Sequence, residues 1–293
     1  MAHPVLLDPV HPSVEQPIAL AWIAGRNVLL ATTGTGELVC IKPSGSVRTV
    51  TSMLGVCPSL AVHADGNRWL TVSNAGQWQV GTLEGEVLQT GRHRFRTHLL
   101  GFFTADRLVL VGDDARGTRR LVVIEGGHRV TDVSLPPRVH AHPLENNGVI
   151  LTYVHQAGLS QCTLQEYTAG VRFPFPDPPQ TDHQLRRVGD HLLGITSGGV
   201  AVWHAEHPHR ARTLRVLDIA AGDISRDGEV LALGTRNGAV MLARVADLGK
   251  GRPDSVRAFD GPVTSVAFSP TAQRLATGAA CLRLWSWGAT EAA

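Results

Sequence analysis

The chain has 293 residues, and its 27 lysines and arginines nearly balance its 25 aspartates and glutamates, which gives a formal net charge of +2. This balance disfavours a general nucleic-acid binder, which would carry a strong basic stripe. With 43% apolar residues, 31 glycines and 17 prolines, the composition is typical of a folded, turn-rich chain and not of a disordered one.

The N-terminal segment and the cysteines predict a cytoplasmic protein. The first residues, MAHPVLLDPVHPSVEQ, contain no basic region and only a short apolar run, so they do not resemble a secretion signal. No apolar stretch is long enough to predict a membrane-spanning helix. Neither close pairing nor metal-binding spacing is found among the four cysteines, which are Cys40, Cys57, Cys162 and Cys281. We therefore expect reduced thiols in a reducing compartment.

A glycine recurs at intervals of 39 to 41 residues, each time between two short apolar runs, at Gly36, Gly76, Gly117, Gly158, Gly199 and Gly238. Repeats of about 40 to 45 residues built from short strands are typical of β-propellers, in which each repeat is one four-stranded blade. We predict an all-β chain with one domain, residues 1–293, folded as a seven-bladed β-propeller. The predicted blades cover residues 17–50, 57–90, 97–134, 138–175, 184–217, 220–259 and 262–287, the last completed by residues 3–9.

Turn residues and the chain termini refine this prediction. Asp227-Gly228 and Asn237-Gly238 are typical two-residue hairpin turns, so the recurring glycine is predicted to adopt a positive φ. After the strand at 281–287 the sequence has no room for a fourth strand. We therefore expect residues 3–9, HPVLLDP, to pair with that strand and to cover an edge that would otherwise invite aggregation.

The seventh repeat carries a family resemblance. Its sequence VTSVAFSPTAQRLATGAACLRLWSW resembles the WD40 repeat, with Trp285-Ser286 where Trp-Asp is usual, and Trp203-His204 stands at the same place in blade 5. The resemblance implies a WD40-like propeller with degenerate repeats, which is typical of a protein-interaction scaffold; their degeneracy also suggests a bacterial source. No Gly-His dipeptide precedes an inner strand. We therefore expect the family's Asp–His–Ser/Thr–Trp hydrogen-bond network to be absent.

The segment GRHRFRTH, residues 91–98, is the first candidate binding site. Arg92, Arg94 and Arg96 surround Phe95, and Arg116 is expected nearby in a turn of the next blade, with Arg119 and Arg120 beside it. Arginines around an aromatic residue suit an acidic partner surface or phosphate groups. The alternative is a solvated rim, because exposed charges usually contribute little.

Two further segments are candidates for contacts. FPFPDPPQTD, residues 173–182, is stiffened by prolines, and Phe175 and Pro176 could dock on a partner, unless this segment only links two blades.

HAEHPHR, residues 204–210, contains three histidines, which could bind zinc or copper. A surface turn is the preferred interpretation, because the segment falls in an outer turn of blade 5, Pro208 intervenes and no ring of carboxylates encloses the histidines. We predict less than one zinc or copper per purified chain by elemental analysis. A full equivalent lost on replacing these histidines would contradict this.

The function predicted from these features is a non-catalytic scaffold or adaptor that binds one or more proteins with acidic contact surfaces. We expect no catalytic residue, no cofactor and no metal, because no nucleophile elbow, P-loop, paired-carboxylate motif or HExxH motif is present. Two alternatives stay open. One is a propeller hydrolase or lyase with a histidine site on the top face. The possible channel-facing polar residues come from different blades and share no motif; they are His98, His140, His183 and Asp223. The weaker one is contact with phosphate or nucleic acid through the arginines.

Overall fold

The computed structural model describes residues 3–23, 25–102, 104, 106–136, 139–143, 148–155, 158–170, 184–196, 199–207, 210–250, 253–270 and 273–290. Nearly all its regular structure is antiparallel β, as predicted, in seven successive sheets that correspond to the seven predicted blades and keep their numbers. Within the described ranges, no helix has the length and apolar character needed to cross a membrane.

The first four blades use consecutive strands. They are β2 (Pro17–Ile23), β3 (Val28–Thr33), β4 (Glu37–Ile41) and β5 (Val47–Ser52) in blade 1; β6 (Ser59–Val62), β7 (Arg68–Val72), β8 (Gln77–Thr82) and β9 (Val87–Arg92) in blade 2; β10 (Arg96–Phe102), β11 (Arg107–Asp113), β12 (Arg119–Glu125) and β13 (His128–Leu135) in blade 3; and β14 (His140–Pro143), β15 (Val149–His155) and β16 (Gly158–Thr163) in blade 4.

The last three blades include the N-terminal strand. They are β17 (Gln184–Val188), β18 (His191–Thr196), β19 (Gly199–His204) and β20 (Ala211–Leu214) in blade 5; β21 (Ile219–Ile224), β22 (Val230–Thr235), β23 (Ala239–Arg244) and β24 (Asp254–Arg257) in blade 6; and β25 (Ser265–Phe268), β26 (Arg274–Gly278), β27 (Leu282–Thr290) and β1 (His3–Leu6) in blade 7. A 3-10 helix, Val245–Asp247, follows β23.

Burial falls from the middle to the outer strands of a blade. Every residue of β22, VLALGT, is buried, whereas the outer strand β9, VLQTGR, is half-buried or exposed throughout. The apolar sequence of the second strand explains this difference, because such a strand can be covered on both faces. The outer strand β9 contains fewer apolar residues and remains at the surface.

The chain divides into two compact units. The first contains Met1–Thr33, Val39–Arg48 and Thr181–Ala293, and the second contains Gly34–Leu38 and Thr49–Gln180. Within the first unit, one apolar cluster runs from blade 6 into blade 7. Within the second unit, another joins blade 2 to blade 3. Each unit therefore has apolar contacts between successive blades.

Part of the hydrogen-bond network that we expected to be absent is present in blade 7. The indole nitrogen of Trp285 donates to the hydroxyl of Thr277 at 2.7 Å, and both residues are buried. A buried indole N–H usually needs an acceptor, and the threonine on the adjacent strand supplies one. The prediction of a missing network is therefore wrong for this tryptophan–threonine pair.

At two positions the recurring glycine is required both by its backbone conformation and by a close approach of neighbouring backbone. Gly76 and Gly238 both adopt a positive φ, of 77° and 86°, in the turn between the second and third strands. In addition, the backbone that leads into the next blade passes directly over them. A Cβ atom at Gly76 would collide with the carbonyl oxygen of His93, and one at Gly238 with that of Phe259. The turn and the close approach together exclude a side chain.

The N-terminal segment lies along the outer edge of blade 7. Leu6 is in register with Trp287, and Val5 with Gly288. This pairing extends past the predicted end of the strand at residue 287, since β27 continues to Thr290. Further along, Val10 forms a β-bridge to Leu284. The edge strand therefore has a backbone partner from its end back to its start.

Blade 4 departs from the predicted four-strand plan within the described residues. After its third strand the chain forms the short helix α1 (Leu164–Thr168). Thr163 accepts a hydrogen bond from the Glu166 amide at 3.1 Å, while the Glu166 carboxylate accepts one from the Thr163 amide at 2.7 Å. This reciprocal capping box starts a helix where a fourth strand was expected.

Candidate protein-binding site

A concave site of about 740 Å³ lies in the second unit and coincides with the first candidate segment. Two backbone segments form it: the turn at residues 74–76 in blade 2 and the loop at residues 92–96 between blades 2 and 3. We call the loop the arginine loop and the concavity the arginine pocket. Its lining includes Arg92, Arg94, Phe95 and Arg96 from the predicted site.

His93 attaches the arginine loop to the turn below it. Its amide donates to the Gly76 carbonyl at 3.0 Å. The Phe95 amide donates to the ring nitrogen Nδ1 of His93 at 3.4 Å, so Nδ1 carries no proton, and Nε2 lies 2.8 Å from the Thr97 hydroxyl. The loop is therefore held by backbone and ring contacts, which leaves its arginine side chains free to point outward.

Phe95 is half-buried and forms part of the pocket wall. Its ring stacks on the His93 ring with centroids 4.0 Å apart, and it packs against the apolar cluster of blades 2 and 3. A Cβ atom at Gly112 would clash with the Phe95 ring at 2.6 Å and with the Arg96 carbonyl. The phenyl ring therefore fixes the loop to the strands, and its exposed part is only a portion of the pocket wall.

The three arginines of the pocket carry uncompensated charge. Arg92, Arg94 and Arg96 are exposed, and among the described residues no carboxylate forms an ion pair with any of them. By contrast, Arg119 pairs with Asp113 at 2.9 Å, and Arg120 pairs with Asp132. The two predicted arginines on β12 therefore form ion pairs with aspartates, whereas those in the loop form none with a described carboxylate.

Arg116 lies at the same end of blade 3 but outside the pocket lining. It is exposed in the turn after β11, where its amide donates to the Asp114 carboxylate at 2.8 Å. Arg96 is the register partner of Asp113, three residues before Arg116. The loop and this turn are therefore neighbours at one end of blade 3.

No protein-family model matches the chain, and no curated protein matches it. A solved structure does: the β-propeller domain of Cps50 (Swd1) from Myceliophteria thermophila. It has a TM-score of 0.76 and 12% sequence identity, and the alignment covers 97% of this chain and 99% of that one. The chain is a seven-bladed β-propeller. At this identity the likeness concerns the fold, and the predicted fold class is confirmed.

The other sequence candidates of the propeller are placed as follows. Phe175, Pro176 and His183 lie outside the described residues, as does His209. His140 and His142 belong to β14, and His142 is buried. In blade 5 the rings of His191 and His204 are 4.9 Å apart, with His207 5.9 Å from His204. Among the described residues, no group of His, Cys, Asp or Glu has a geometry that could hold a metal ion.

Asp223 is a structural residue of the propeller in its first unit. It is buried, and its two carboxylate oxygens accept hydrogen bonds from the amides of Ile224 at 2.9 Å and Phe268 at 2.8 Å. The Arg186 side chain lies 3.3 Å away. Burial raises the pKa of the Asp223 carboxyl, and Arg186 with the two amides offsets this only in part. This carboxyl joins the inner strands of blades 5, 6 and 7.

Leu54 and His93 are the residues of this surface that sequence reasoning missed. Leu54 is 82% exposed in the loop that leads into blade 2, next to the pocket. An isolated leucine in a loop gives no signal in a sequence. His93 had one available signal, because it precedes the inner strand of blade 3 at the position that Phe259 holds before that of blade 7.

We predict that His93 makes the protein less stable in mild acid. Burial lowers the pKa of His93 from 6.5 to about 4. Above pH 6.5 the His93 ring is neutral in the folded and in the unfolded chain, so burying it costs no folding free energy through deprotonation. As the pH falls from 6.5 to about 4 only the unfolded chain takes up the proton, and up to about 3 kcal/mol of folding free energy is lost.

The variant His93→Phe tests this, because Phe259 makes the equivalent amide contact to Gly238. Urea unfolding across this pH range should give a curve for the variant that is flatter than that of the unmodified protein. His128→Gln, at an exposed position, is the control and should leave the slope unchanged. Parallel curves for the variant and the unmodified protein would contradict the prediction.

Proposed function

We propose that this propeller is a non-catalytic protein-interaction module that binds an acidic partner surface through the arginine pocket. The observation that carries the proposal is the combination in one concave site of three exposed arginines that have no carboxylate partner among the described residues. Guanidinium groups bind carboxylates through paired hydrogen bonds, and arginine is frequent among the residues that dominate interface energetics. Arg116 extends the same charged surface.

The rigidity of the loop supports this proposal. His93, Phe95 and Gly76 hold the backbone of the arginine loop in place before any partner arrives. A partner then has to immobilise only the arginine side chains, which reduces the entropic cost of association. The overall charge of +2 favours a protein partner over nucleic acid, since the basic residues are not spread into a long stripe.

The proposed compartment is the cytoplasm. All four cysteines are free thiols, which agrees with a reducing environment. Burial raises the pKa of Cys57 and raises that of Cys162 to about 11, so neither is a ready nucleophile. The module would therefore act by assembling other proteins, which supply any enzymatic activity.

Charge reversal of the pocket tests the proposal. We expect Arg94→Glu with Arg96→Glu to weaken binding of the partner by roughly 2 kcal/mol or more, because both guanidinium–carboxylate contacts become repulsive. The matched control is Arg212→Glu with Arg215→Glu, which changes the net charge equally at two exposed positions of the other unit. Proteins captured by the unmodified chain and by the control, but not by the pocket variant, are then purified and titrated by calorimetry.

Melting temperature is measured beside binding, because exposed loop charges should contribute little to stability. Equal binding by all three proteins would contradict the proposal and make residues 173–182 the next segment to test. A large fall in melting temperature of the pocket variant would show that these arginines are structural.

A further inference from the structure

We propose that the arginine pocket recognises an extended acidic segment that also carries an apolar side chain, and that this side chain packs against Leu54. This inference rests on the proposed function and adds the sequence class of the partner. Leu54 is the most exposed of the large apolar residues in the described chain, at 82%. It belongs to the same unit as the pocket and lies in residues 53–57, which we call the Leu54 loop.

The Leu54 loop is fixed at both ends. Met53 and Cys57 are 7% and 1% exposed, and their sulfur atoms lie 3.5 Å apart. The Met53 amide also donates to the Gly36 carbonyl at 2.9 Å. Between these buried residues the chain turns at Gly55, with φ of 86°. Leu54 is thus held outward by its neighbours, so docking against it would order little additional backbone.

The Leu54 loop is also joined directly to the pocket. The amide of Asn74, a residue of the pocket lining, donates to the Val56 carbonyl at 2.8 Å. A Cβ atom at Gly55 would lie 2.6 Å from the Asn74 side-chain oxygen. Leu54 is two residues from Val56, so its Cα lies within about 7 Å of the Val56 Cα. The loop that carries the exposed leucine is therefore adjacent to the pocket at Asn74.

The chemistry of this surface defines the occupant as a peptide segment of another protein. Three guanidinium groups favour two or more carboxylates, and the leucine favours an aliphatic or aromatic side chain beside them. An extended strand rises about 3.3 Å per residue, so one short segment could place carboxylates at the arginines and an apolar side chain against Leu54. Nucleic acid would use the arginines but would gain nothing from an aliphatic side chain.

The experiment is selection of a random-peptide phage library on four immobilised proteins: the unmodified chain, Leu54→Ser, Arg94→Glu with Arg96→Glu, and the control Leu217→Ser. Leu217 is 75% exposed and lies in the other unit, so its replacement removes a similar exposed leucine away from the pocket. We expect the unmodified chain and the control to enrich peptides with clustered Asp or Glu and a nearby apolar residue. Leu54→Ser should keep the acidic preference and lose the apolar one.

The selected peptide is then synthesised with a fluorescent label, and its affinity is measured by anisotropy. Leu54→Ser should bind it at least about tenfold more weakly, a loss of about 1.4 kcal/mol. Acidic peptides without an apolar preference, or equal binding by Leu54→Ser, would overturn this inference and leave the proposed function standing. No enrichment, or peptides that bind the arginine variant equally well, would overturn the proposed function as well.

Discussion

Removing residues 1–16 should lower the melting temperature by about 10 °C or more and produce soluble aggregates. The deleted segment supplies backbone partners along the whole outer edge of blade 7. Val10 and Leu284 exchange two hydrogen bonds, at 2.8 and 2.9 Å, and the Gln16 amide donates to the Ala280 carbonyl at 2.9 Å. Val14 is only 4% exposed and belongs to an apolar cluster of the first unit.

The expected loss is on the order of 5 kcal/mol, from several backbone hydrogen bonds of about 1 kcal/mol each and the burial of one valine side chain. Aggregation is expected because β27 would then present unpaired N–H and C=O groups. Thermal melts and size-exclusion chromatography with light scattering measure the two effects.

A shorter deletion, of residues 1–9, gives a graded comparison. It removes β1 but keeps Val10 and Val14, so we expect an intermediate melting temperature. Leu7→Ser is the control, because that side chain is 52% exposed and its replacement leaves the backbone bonds in place. If the protein that begins at Pro17 is monomeric and melts like the unmodified chain, the N-terminal segment does not stabilise the blade.

The repeat and its turns could be predicted from the sequence because they depend on local backbone geometry. A glycine such as Gly238 is needed wherever the turn requires a positive φ, and this requirement recurs with each blade. In blade 4 the sequence contained a helix signal that the prediction did not use. Thr163 and Glu166 form a capping-box pattern that is visible in the sequence, but the repeat period favoured a strand there.

The candidate site could be predicted only in part because pairing depends on strand register. Arg94 and Arg120 look alike in the sequence as members of one arginine cluster. Only the pairing of β12 with β13 brings Arg120 next to Asp132, twelve residues away, and neutralises it. The position of His93 likewise depends on a backbone contact with Gly76, seventeen residues earlier in the chain. Long-range contacts decide which charges remain available.

Replacing Asp223 with alanine should cost about 2 to 4 kcal/mol, because the buried amide of Phe268 would lose its acceptor and a void would remain. The amide of Ile224 would lose its acceptor as well. Arg186 adds little to this loss, since its side chain is 44% exposed and can return to water. Arg186→Ala should therefore be much milder than Asp223→Ala.

Asp223→Asn separates the acceptor from the charge. Burial raises the pKa of the Asp223 carboxyl, so the folded state holds its proton more tightly than the unfolded state does. The contribution of this carboxyl to the free energy of unfolding is fully present below pH 3.8, the pKa of the unfolded chain, and is lost as the pH rises through the pKa of the folded state. Asparagine keeps one acceptor oxygen without this cost but turns its NH2 group toward the second amide donor, so at neutral pH it should be less destabilising than alanine yet less stable than the unmodified protein.

Urea unfolding at neutral pH measures the order of the three variants. We expect Asp223→Ala to be the least stable, Asp223→Asn to be intermediate, and Arg186→Ala to be close to the unmodified protein. If asparagine were as damaging as alanine, the one acceptor oxygen that it retains would contribute nothing to joining the inner strands. An alanine variant as stable as the unmodified chain would mean that other contacts, such as the apolar cluster across blades 6 and 7, hold these strands without help from the carboxyl.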